Sequence, residues 1–225
     1  MHLSHMIHPQ IPLWPNDPPV EFDTVAECEQ AGYYLRRFAM GEHSATHVNA
    51  PRSFNPQAPS IDSYPAESLV VPAIAINVCE PAAQNPDYGL TVADVLSWER
   101  QYGLVPAGAV VLLYTGWQAK WPDAIAFFNR DASGQAHFPG FGAETTRFLL
   151  EERQVAGVGI DTHGVDPGYD LTFATNTQVL ARSRLVLENL ANLDQIPPTG
   201  ATLIVGILRL QNGSGSPAAV IALVP

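Results

Sequence analysis

The segment Gly41–Phe54 (GEHSATHVNAPRSF) holds the residue types and the spacing best suited to chemistry. His43 and His47 are four residues apart, so one helical turn would place both imidazoles on one face, where they could bind one metal ion. Pro51 disfavours helix just before it and predicts that Asn49 lies in extended chain. A helical turn running into this extended segment would bring the two histidines and Asn49 together. The alternative is a pair of capped or partly buried histidines in a loop, and spacing alone does not decide between them.

Carboxylates at predicted strand ends form the second candidate group. Glu188 ends an apolar run, so we expect it to be partly buried and to need a partner. Asp161 ends another apolar run, and in open α/β sheets binding sites gather beyond the carboxyl ends of the strands. The polar run that follows, DTHGVDPGYD, contains His163, a candidate for proton transfer, as is His137 further back in the chain. A solvated Asp- and Gly-rich loop is the favoured interpretation of this run.

Aromatic residues form the third group. The segments TGWQAKW and HFPGFG flank a predicted helix and could line an apolar pocket for a flat substrate. Trp14, Trp117 and Phe138 are the candidates for that lining, although most aromatic residues of this part of the chain are expected to be core. The sequence has no GxSxG motif and no glycine-rich phosphate loop, which argues against a serine hydrolase and against a nucleotide site.

The elements that must position these residues alternate between strands and helices after residue 90. Strands are predicted over Tyr33–Met40, Leu69–Val78, Gly108–Tyr114, Ala156–Ile160, Leu185–Glu188, Ala201–Leu210 and Ala218–Val224, and helices over Thr91–Tyr102, Pro122–Asn129, Gly142–Gln154 and Phe173–Ala181. This order predicts an α/β fold, and the absence of linkers and repeats predicts one domain over residues 1–225. Pro72 suggests an edge or a bulge in its strand.

Composition excludes several classes of protein. The chain has 225 residues, of which 46% are hydrophobic and 15% charged, which excludes disorder and a coiled coil. With 11 Lys and Arg against 22 Asp and Glu, nucleic acid is a poor partner. No apolar run is long enough to predict a membrane span. The two widely separated cysteines favour free thiols and a cytoplasmic location.

Several segments, taken in order, resemble the cyclase-like family that includes bacterial kynurenine formamidase and isatin hydrolase. They are LSHMI, PLWPNDPPVEF, HSATHVNAPRSF, YTGWQAKW, FPGFGAETTRFLLEERQVAGVGIDT, VDPG, LENLANLDQIP and GSGSPAAVIAL, and together they span nearly the whole chain. The TGW and FPG segments are similar to the isatin-hydrolase-like branch. The resemblance implies a single swivelling β/β/α domain that assembles as a homodimer or homotetramer. It also implies a zinc- or manganese-dependent hydrolase that opens small cyclic or aryl amides, imides or lactones.

The chain departs from the family pattern at three positions. The signature's aspartate ligand is Asn49, its proton-transfer histidine is Ser53, and a later histidine, twelve residues before Glu188, is Asn176. His43, His47 and Glu188 remain, so the resemblance implies a reduced site for one metal ion, with Asn49 as a weak ligand or a group that orients water.

Three hypotheses follow. The first is a single-metal hydrolase in which His163 replaces the missing base, because Ser53 needs activation of its own near neutral pH. Its small-molecule substrate would lie among Trp14, Trp117, Phe138 and Asn176. The second is a metal-free ligand-binding or scaffold protein. The third is a metal-free enzyme in which one of the paired histidines acts as the base.

Overall fold

The computed structural model describes the whole chain, Met1–Pro225. Its strands are β1 (Glu21–Ala26), β2 (Leu35–Ala39), β3 (His47–Asn49), β4 (Val70–Asn77), β5 (Gly89–Leu90), β6 (Val110–Tyr114), β7 (Gly140–Phe141), β8 (Gly157–Ile160), β9 (Leu185–Glu188), β10 (Ala201–Ile207) and β11 (Gly215–Leu223). Its α-helices are α1 (Cys28–Ala31), α2 (Cys79–Gln84), α3 (Val92–Tyr102), α4 (Ala124–Phe128), α5 (Ala143–Glu151) and α6 (Ala174–Leu180). The predicted strands and helices are all present, most of them a few residues shorter than expected.

Seven strands close into a barrel in the order β10-β11-β3-β9-β8-β6-β4. Strands β4, β6, β8 and β9 pair in parallel with their neighbours in this group, and the remaining contacts are antiparallel. Pro72 is paired with β10, whereas the pairing of β4 with β6 begins only at Ala73, so the proline lies where β4 has a neighbour on one side. The fold is α/β, as predicted.

The parallel strands read as continuous apolar runs because both of their faces are buried. In β6, Val110 and Leu112 belong to one apolar cluster with the side chains of β10 and β11, while Val111 and Leu113 belong to a second. The second cluster also contains Trp98 of α3 and core residues of α5 and α6. This alternation follows from the two-residue period of a strand, which sends successive side chains to opposite faces.

Local signals explain where the helices start. Thr91 caps α3 with a capping box that pairs it with Asp94, as its position before the helix predicts. Asp123 caps α4 by accepting hydrogen bonds from the backbone N–H groups of Ile125 and Ala126. None of the helices has the length and apolar character needed to cross a bilayer.

The first two strands stand apart from the barrel. β1 and β2 pair only with each other, and most of their side chains are exposed on both faces. β2 was predicted from its sequence, whereas β1 was not.

Candidate active site

The register of the barrel brings a histidine and a carboxylate together. β3 and β9 are antiparallel neighbours in which His47 lies directly opposite Glu188. Asn49 shares the face of His47 because side chains two residues apart on a strand point the same way. Nε2 of His47 lies 2.9 Å from Oε2 of Glu188, and Nδ2 of Asn49 donates a hydrogen bond of 2.9 Å to the same oxygen. The pairing of two short strands therefore builds the centre of the site.

His43 reaches this centre through a tight turn. The predicted helical turn over His43–His47 is wrong, because Ala45 adopts a left-handed conformation, with φ of 57°, and the chain then enters β3. The predicted proximity of the two histidines is nevertheless present, with ring centroids 4.5 Å apart. Nε2 of His43 lies 3.7 Å from Oε2 of Glu188.

Hydrogen bonds at the far side of each ring fix the histidine tautomers. Nδ1 of His47 donates to the carbonyl oxygen of Ala45 at 2.9 Å, since a carbonyl can only accept. Nδ1 of His43 lies 2.9 Å from Oδ2 of Asp17 and donates to that carboxylate in the same way. Both imidazoles therefore turn Nε2 towards Glu188, and a proton or a cation is needed between each Nε2 and the carboxylate.

The same arrangement is what a metal site requires. The ligand atoms of His43, His47 and Glu188 all lie within 4.8 Å of one another. Zinc binds imidazole nitrogen and carboxylate oxygen at about 2.0–2.2 Å, and catalytic sites commonly have three protein ligands and one open position. Metal-binding histidines usually donate their other ring N–H to a carboxylate or a backbone carbonyl, as both do here. The residues present thus fit one divalent ion.

Glu188 is buried and surrounded by donors. Its Oε1 accepts hydrogen bonds from the backbone N–H of Val165 at 2.9 Å and from Nδ2 of Asn176 at 3.1 Å. Burial alone would raise the pKa of Glu188, but its hydrogen bonds and charge interactions with the two histidines hold that pKa well below its usual range. The carboxylate therefore stays ionised.

The same carboxylate raises the affinity of His43 for a proton. Burial opposes a charge on this ring, but its hydrogen bonds to Asp17 and Glu188 raise the pKa of His43 to about 9. In the absence of another cation, the site therefore holds a proton at this position near neutral pH.

Two asparagines act as donors towards the buried carboxylates. Asn49 presents Nδ2 to Glu188, because an amide beside an ionised carboxylate donates; weak metal ligation by the Asn49 carbonyl stays a prediction. Nδ2 of Asn176 also donates to Oδ2 of Asp166 at 3.0 Å. Burial raises the pKa of Asp166 to about 6, and the hydrogen bonds from Asn176 and from the start of α6 limit that rise.

The loop after β8 is largely buried, so the prediction of a solvated loop is wrong. Asp161 accepts hydrogen bonds from the backbone N–H and the hydroxyl of Thr115, at 3.0 and 2.7 Å, which ties this loop to the end of β6. Burial raises the pKa of Asp161 to about 6. Asp166 faces the site described above, and of the three carboxylates in this loop only Asp170 is partly exposed.

His163 lies in the wall of the site. Its ring centroid is 5.0 Å from that of His43 and 5.1 Å from that of Trp14, and its Nδ1 is buried without a hydrogen-bond partner. Burial, reinforced by the two neighbouring histidines, holds the pKa of His163 well below its usual range. The ring is therefore a neutral imidazole beside the candidate metal ligands.

A cavity of about 290 Å³ opens onto these residues. Its apolar walls include Trp14, Phe138 and a contacting pair, Phe54 and Phe173, whose ring centroids are 5.6 Å apart. Asn176 also lines the cavity, as predicted. This volume is at the small end of ligand pockets and suits a flat ring system.

Trp117 does not line the cavity, which corrects the prediction from its sequence position. It is buried in an apolar cluster with Trp121 and Phe127, and its Nε1 donates a hydrogen bond of 2.7 Å to the carbonyl oxygen of Phe127. The indole N–H is thus satisfied inside the protein, and the residue has a packing role.

Comparison with known proteins identifies the chain. The sequence model of a family described as "Putative cyclase" matches residues 1–167, about three quarters of the chain. The chain belongs to the cyclase family. The predicted family resemblance and α/β fold are therefore confirmed.

Similar members of the cyclase family include isatin hydrolases and kynurenine formamidases. The isatin hydrolase of Roseibium aggregatum is 31% identical over 220 residues, which cover 93% of this chain and 83% of that protein. The structure of isatin hydrolase A from Ralstonia solanacearum has a TM-score of 0.94 and 34% identity, and the match covers 100% of this chain and 91% of that one. The kynurenine formamidase of Paracidovorax citrulli is 26% identical over 226 residues, covering 99% and 95% of the two chains.

Two predicted catalytic candidates remain, Ser53 from the family signature and His137 as a substitute base, and both are engaged in other contacts. Oγ of Ser53 lines the cavity but donates to the carbonyl oxygen of Ser214 at 2.6 Å, with no base hydrogen-bonded to it, so nothing activates it as a nucleophile. His137 lies outside the cavity and pairs with the carboxylate of Asp87.

Sequence reasoning missed two residues that hold the histidines. Asp17, in the segment PLWPNDPPVEF, orients His43, and Nδ2 of Asn189 donates at 2.8 Å to the carbonyl oxygen of Ala45 that orients His47. The only available signal was that Asn189 directly follows Glu188.

Proposed function

We propose that this protein is a metal-dependent hydrolase of a small cyclic amide, using a single-metal site. The observation that carries the proposal is the convergence of Nε2 of His43, Nε2 of His47 and a carboxylate oxygen of Glu188, with each Nδ1–H held by an acceptor. This is the donor set and the tautomer that a catalytic metal needs. The family membership and the two similar isatin hydrolases support the substrate class.

The chain's own residues account for most of the reaction. His43, His47 and Glu188 would hold the metal, which when bound polarises an amide carbonyl and makes a bound water more acidic. Trp14 and Phe138 would hold a flat ring in the cavity. These contacts would orient the amide towards His43, His47 and Glu188.

His163 is the residue that we propose for proton transfer. It is the one other histidine in the cavity wall, it is neutral, and no hydrogen bond occupies its Nδ1. We propose that its ring accepts a proton from the attacking water and returns one to the amide nitrogen as the ring opens. In a His163→Asn variant we expect kcat to fall by about 100-fold or more, with a smaller change in KM.

The experiment that tests the proposed function joins metal content to catalysis. Protein purified without chelator is analysed by mass spectrometry for bound metal, and isatin hydrolysis is followed by absorbance. We expect about one ion per chain and measurable turnover, both lost in His47→Asn. His8→Asn, the same change at a surface histidine, is the matched control and should retain both. A folded wild-type protein that binds neither zinc nor manganese would refute the proposal.

The identity of the metal also belongs to the proposal. Two imidazoles and one carboxylate suit zinc, and the carboxylate also suits manganese. Loading the metal-free protein with each ion separately, and measuring affinity and turnover, decides between them.

A metal-free ligand-binding protein is the second candidate. The observation that favours it is that neutral donors already occupy both oxygens of Glu188: the backbone N–H of Val165 and Nδ2 of Asn176 on Oε1, and Nδ2 of Asn49 on Oε2. If this candidate is correct, the triple variant Asn49→Asp, Ser53→His and Asn176→His should gain metal binding that the natural chain lacks. No gain in the triple variant would argue against it.

Assembly and location remain predictions. A homodimer or homotetramer is implied by the family resemblance, and the exposed apolar side chains of the β1–β2 hairpin, including Tyr34 and Phe38, are consistent with self-association. Light scattering coupled to size-exclusion chromatography measures the assembly. Fractionation of cells that express the protein tests the predicted cytoplasmic location.

A further inference from the structure

The carboxylates of the cavity outnumber its cationic side chains, of which His43 is the one candidate. The cavity lining contains five carboxylates and no Lys or Arg; the carboxylates are Asp17, Glu42, Asp166, Asp170 and Glu188. A protein that selects a carboxylate-bearing ligand normally offers an arginine, a lysine or free backbone N–H groups to that carboxylate. The distribution of charge therefore bears on what kind of substrate the cavity accepts.

Two of the five carboxylates face histidines, and three face only neutral donors. Glu42 accepts hydrogen bonds from the backbone N–H and the hydroxyl of Ser214, both at 2.7 Å. Asp170 accepts from the backbone N–H and the hydroxyl of Thr172, at 2.8 and 2.6 Å. Asp166 is held by the amide of Asn176 and by backbone N–H groups. Because these partners carry no charge, the negative charge of the three side chains is not neutralised.

The backbone N–H groups at the start of α6, which could have received an anion, are already occupied. The start of α6 borders the cavity, but the N–H groups of Thr175 and Asn176 donate to Asp166, and that of Ala174 donates to Asp170. The protein thus fills its own helix terminus with carboxylates. Arg130 lines a neighbouring cavity that shares Trp14, Gly168 and Leu171 with this one, and its guanidinium packs over the ring of Phe128.

From this arrangement we infer that the cavity selects uncharged aromatic cyclic amides and discriminates against substrates that carry a carboxylate elsewhere on the molecule. The apolar walls described above provide the contact surface for such a ring. The inference rests on the proposed function. It distinguishes two kinds of substrate, because an amino-acid-type aryl formamide bears a carboxylate and a simple cyclic amide does not.

The charge of the cavity also affects release of the product. Hydrolysis breaks the ring C–N bond, joins the water oxygen to the carbonyl carbon and leaves a protonated nitrogen and a carboxylic acid, which ionises by releasing a proton. The neutral substrate thus becomes an anion inside a negatively charged cavity. Electrostatic repulsion then favours release of the product.

A matched set of three substrates tests the inference. Isatin, isatin-5-carboxamide and isatin-5-carboxylate share the reacting ring, and the last two differ mainly in charge. We expect kcat/KM for the carboxylate to be about tenfold or more below that for the carboxamide, and the ratio to narrow as salt is raised, because mobile ions screen the repulsion. Equal values for the two compounds, with turnover of isatin intact, would overturn the inference but not the proposed function. No turnover of any of the three would refute the proposed function instead.

A charge variant at the cavity rim provides the second arm. Leu171 lines the cavity and is 70% exposed, so Leu171→Arg places a cation at the mouth without burying it. We expect this variant to raise kcat/KM for the carboxylate relative to the carboxamide by about fivefold, whereas the size-matched Leu171→Gln control leaves the ratio as in the wild type. An unchanged ratio in Leu171→Arg would count against a charge-based selection.

Discussion

Asp17 is the residue whose replacement tests the histidine tautomer most directly, because its one side-chain hydrogen bond is to His43. Its Oδ2 lies 2.9 Å from Nδ1 of His43, with 23% of the Asp17 side chain and 37% of the His43 side chain exposed. The carboxylate fixes the proton on Nδ1 and so leaves Nε2 free to bind metal. In Asp17→Asn the side-chain oxygen can still accept this hydrogen bond but carries no charge, and in Asp17→Ala the acceptor is lost.

The structure sets the size of the expected effect. A hydrogen bond to a charged group contributes about 1.5–3 kcal/mol and a neutral one about 1 kcal/mol, so the amide forfeits about 1 kcal/mol at this partly exposed contact. That corresponds to a roughly five- to tenfold weaker metal Kd in Asp17→Asn. Complete loss of the partner in Asp17→Ala is expected to weaken Kd by about 10- to 100-fold, the range found when such orienting groups are removed.

The assay is a competition for zinc between the protein and a chromogenic chelator, with circular dichroism to confirm folding. Asp23→Asn is the matched control, because Asp23 pairs with Arg37 on the exposed β1–β2 hairpin, away from the site. Its Kd should equal that of the wild type. If Asp17→Asn and Asp17→Ala both bind zinc as the wild type does, while His47→Asn does not, the argument from the histidine tautomer is wrong.

Three further predictions concern stability. Asn189→Ala removes the side-chain donor to the carbonyl oxygen of Ala45. We expect the free energy of unfolding, measured in urea, to fall by about 1–3 kcal/mol and zinc binding to weaken. Unchanged values of both would show that this hydrogen bond does not help to position His47. Trp117→Phe should lower the free energy of unfolding by about 1–3 kcal/mol but leave KM for isatin unchanged. A raised KM would show that Trp117 contributes to substrate binding. Burial of His5 against Trp121 lowers the pKa of His5 from 6.5 to about 4, so the unfolded chain takes up the proton first and stability falls as pH drops through this interval. We expect the wild type to lose up to about 3 kcal/mol more than His5→Phe between pH 7 and pH 4, and parallel unfolding curves for the two proteins would contradict this.

Much of the fold was readable from the sequence because its signals are local. The buried strands appear as short apolar runs, and Thr91 marks the start of α3 through its own hydrogen bonds. Single elements such as Val110–Tyr114 could therefore be placed. The closure of seven strands into a barrel could not be predicted, because the hydrophobic periodicity of one strand does not specify which strands pair with it.

The sequence by itself also predicted which side chains form the candidate metal site: His43 and His47 by their spacing, Glu188 by its position at the end of an apolar run, and all three together by the family resemblance. Only the tertiary structure decided how they are used. Glu188 meets His47 through strand pairing at a sequence separation of 141 residues, and Asp17 meets His43 at a separation of 26 residues, with β1 and β2 between them. Contacts with segments that are distant in sequence likewise decide that Asn49 and Asn176 donate hydrogen bonds to carboxylates and that Trp117 lies in the core. A residue's type fixes which bonds it can make, whereas distant segments, brought together by packing, decide which of those bonds it makes.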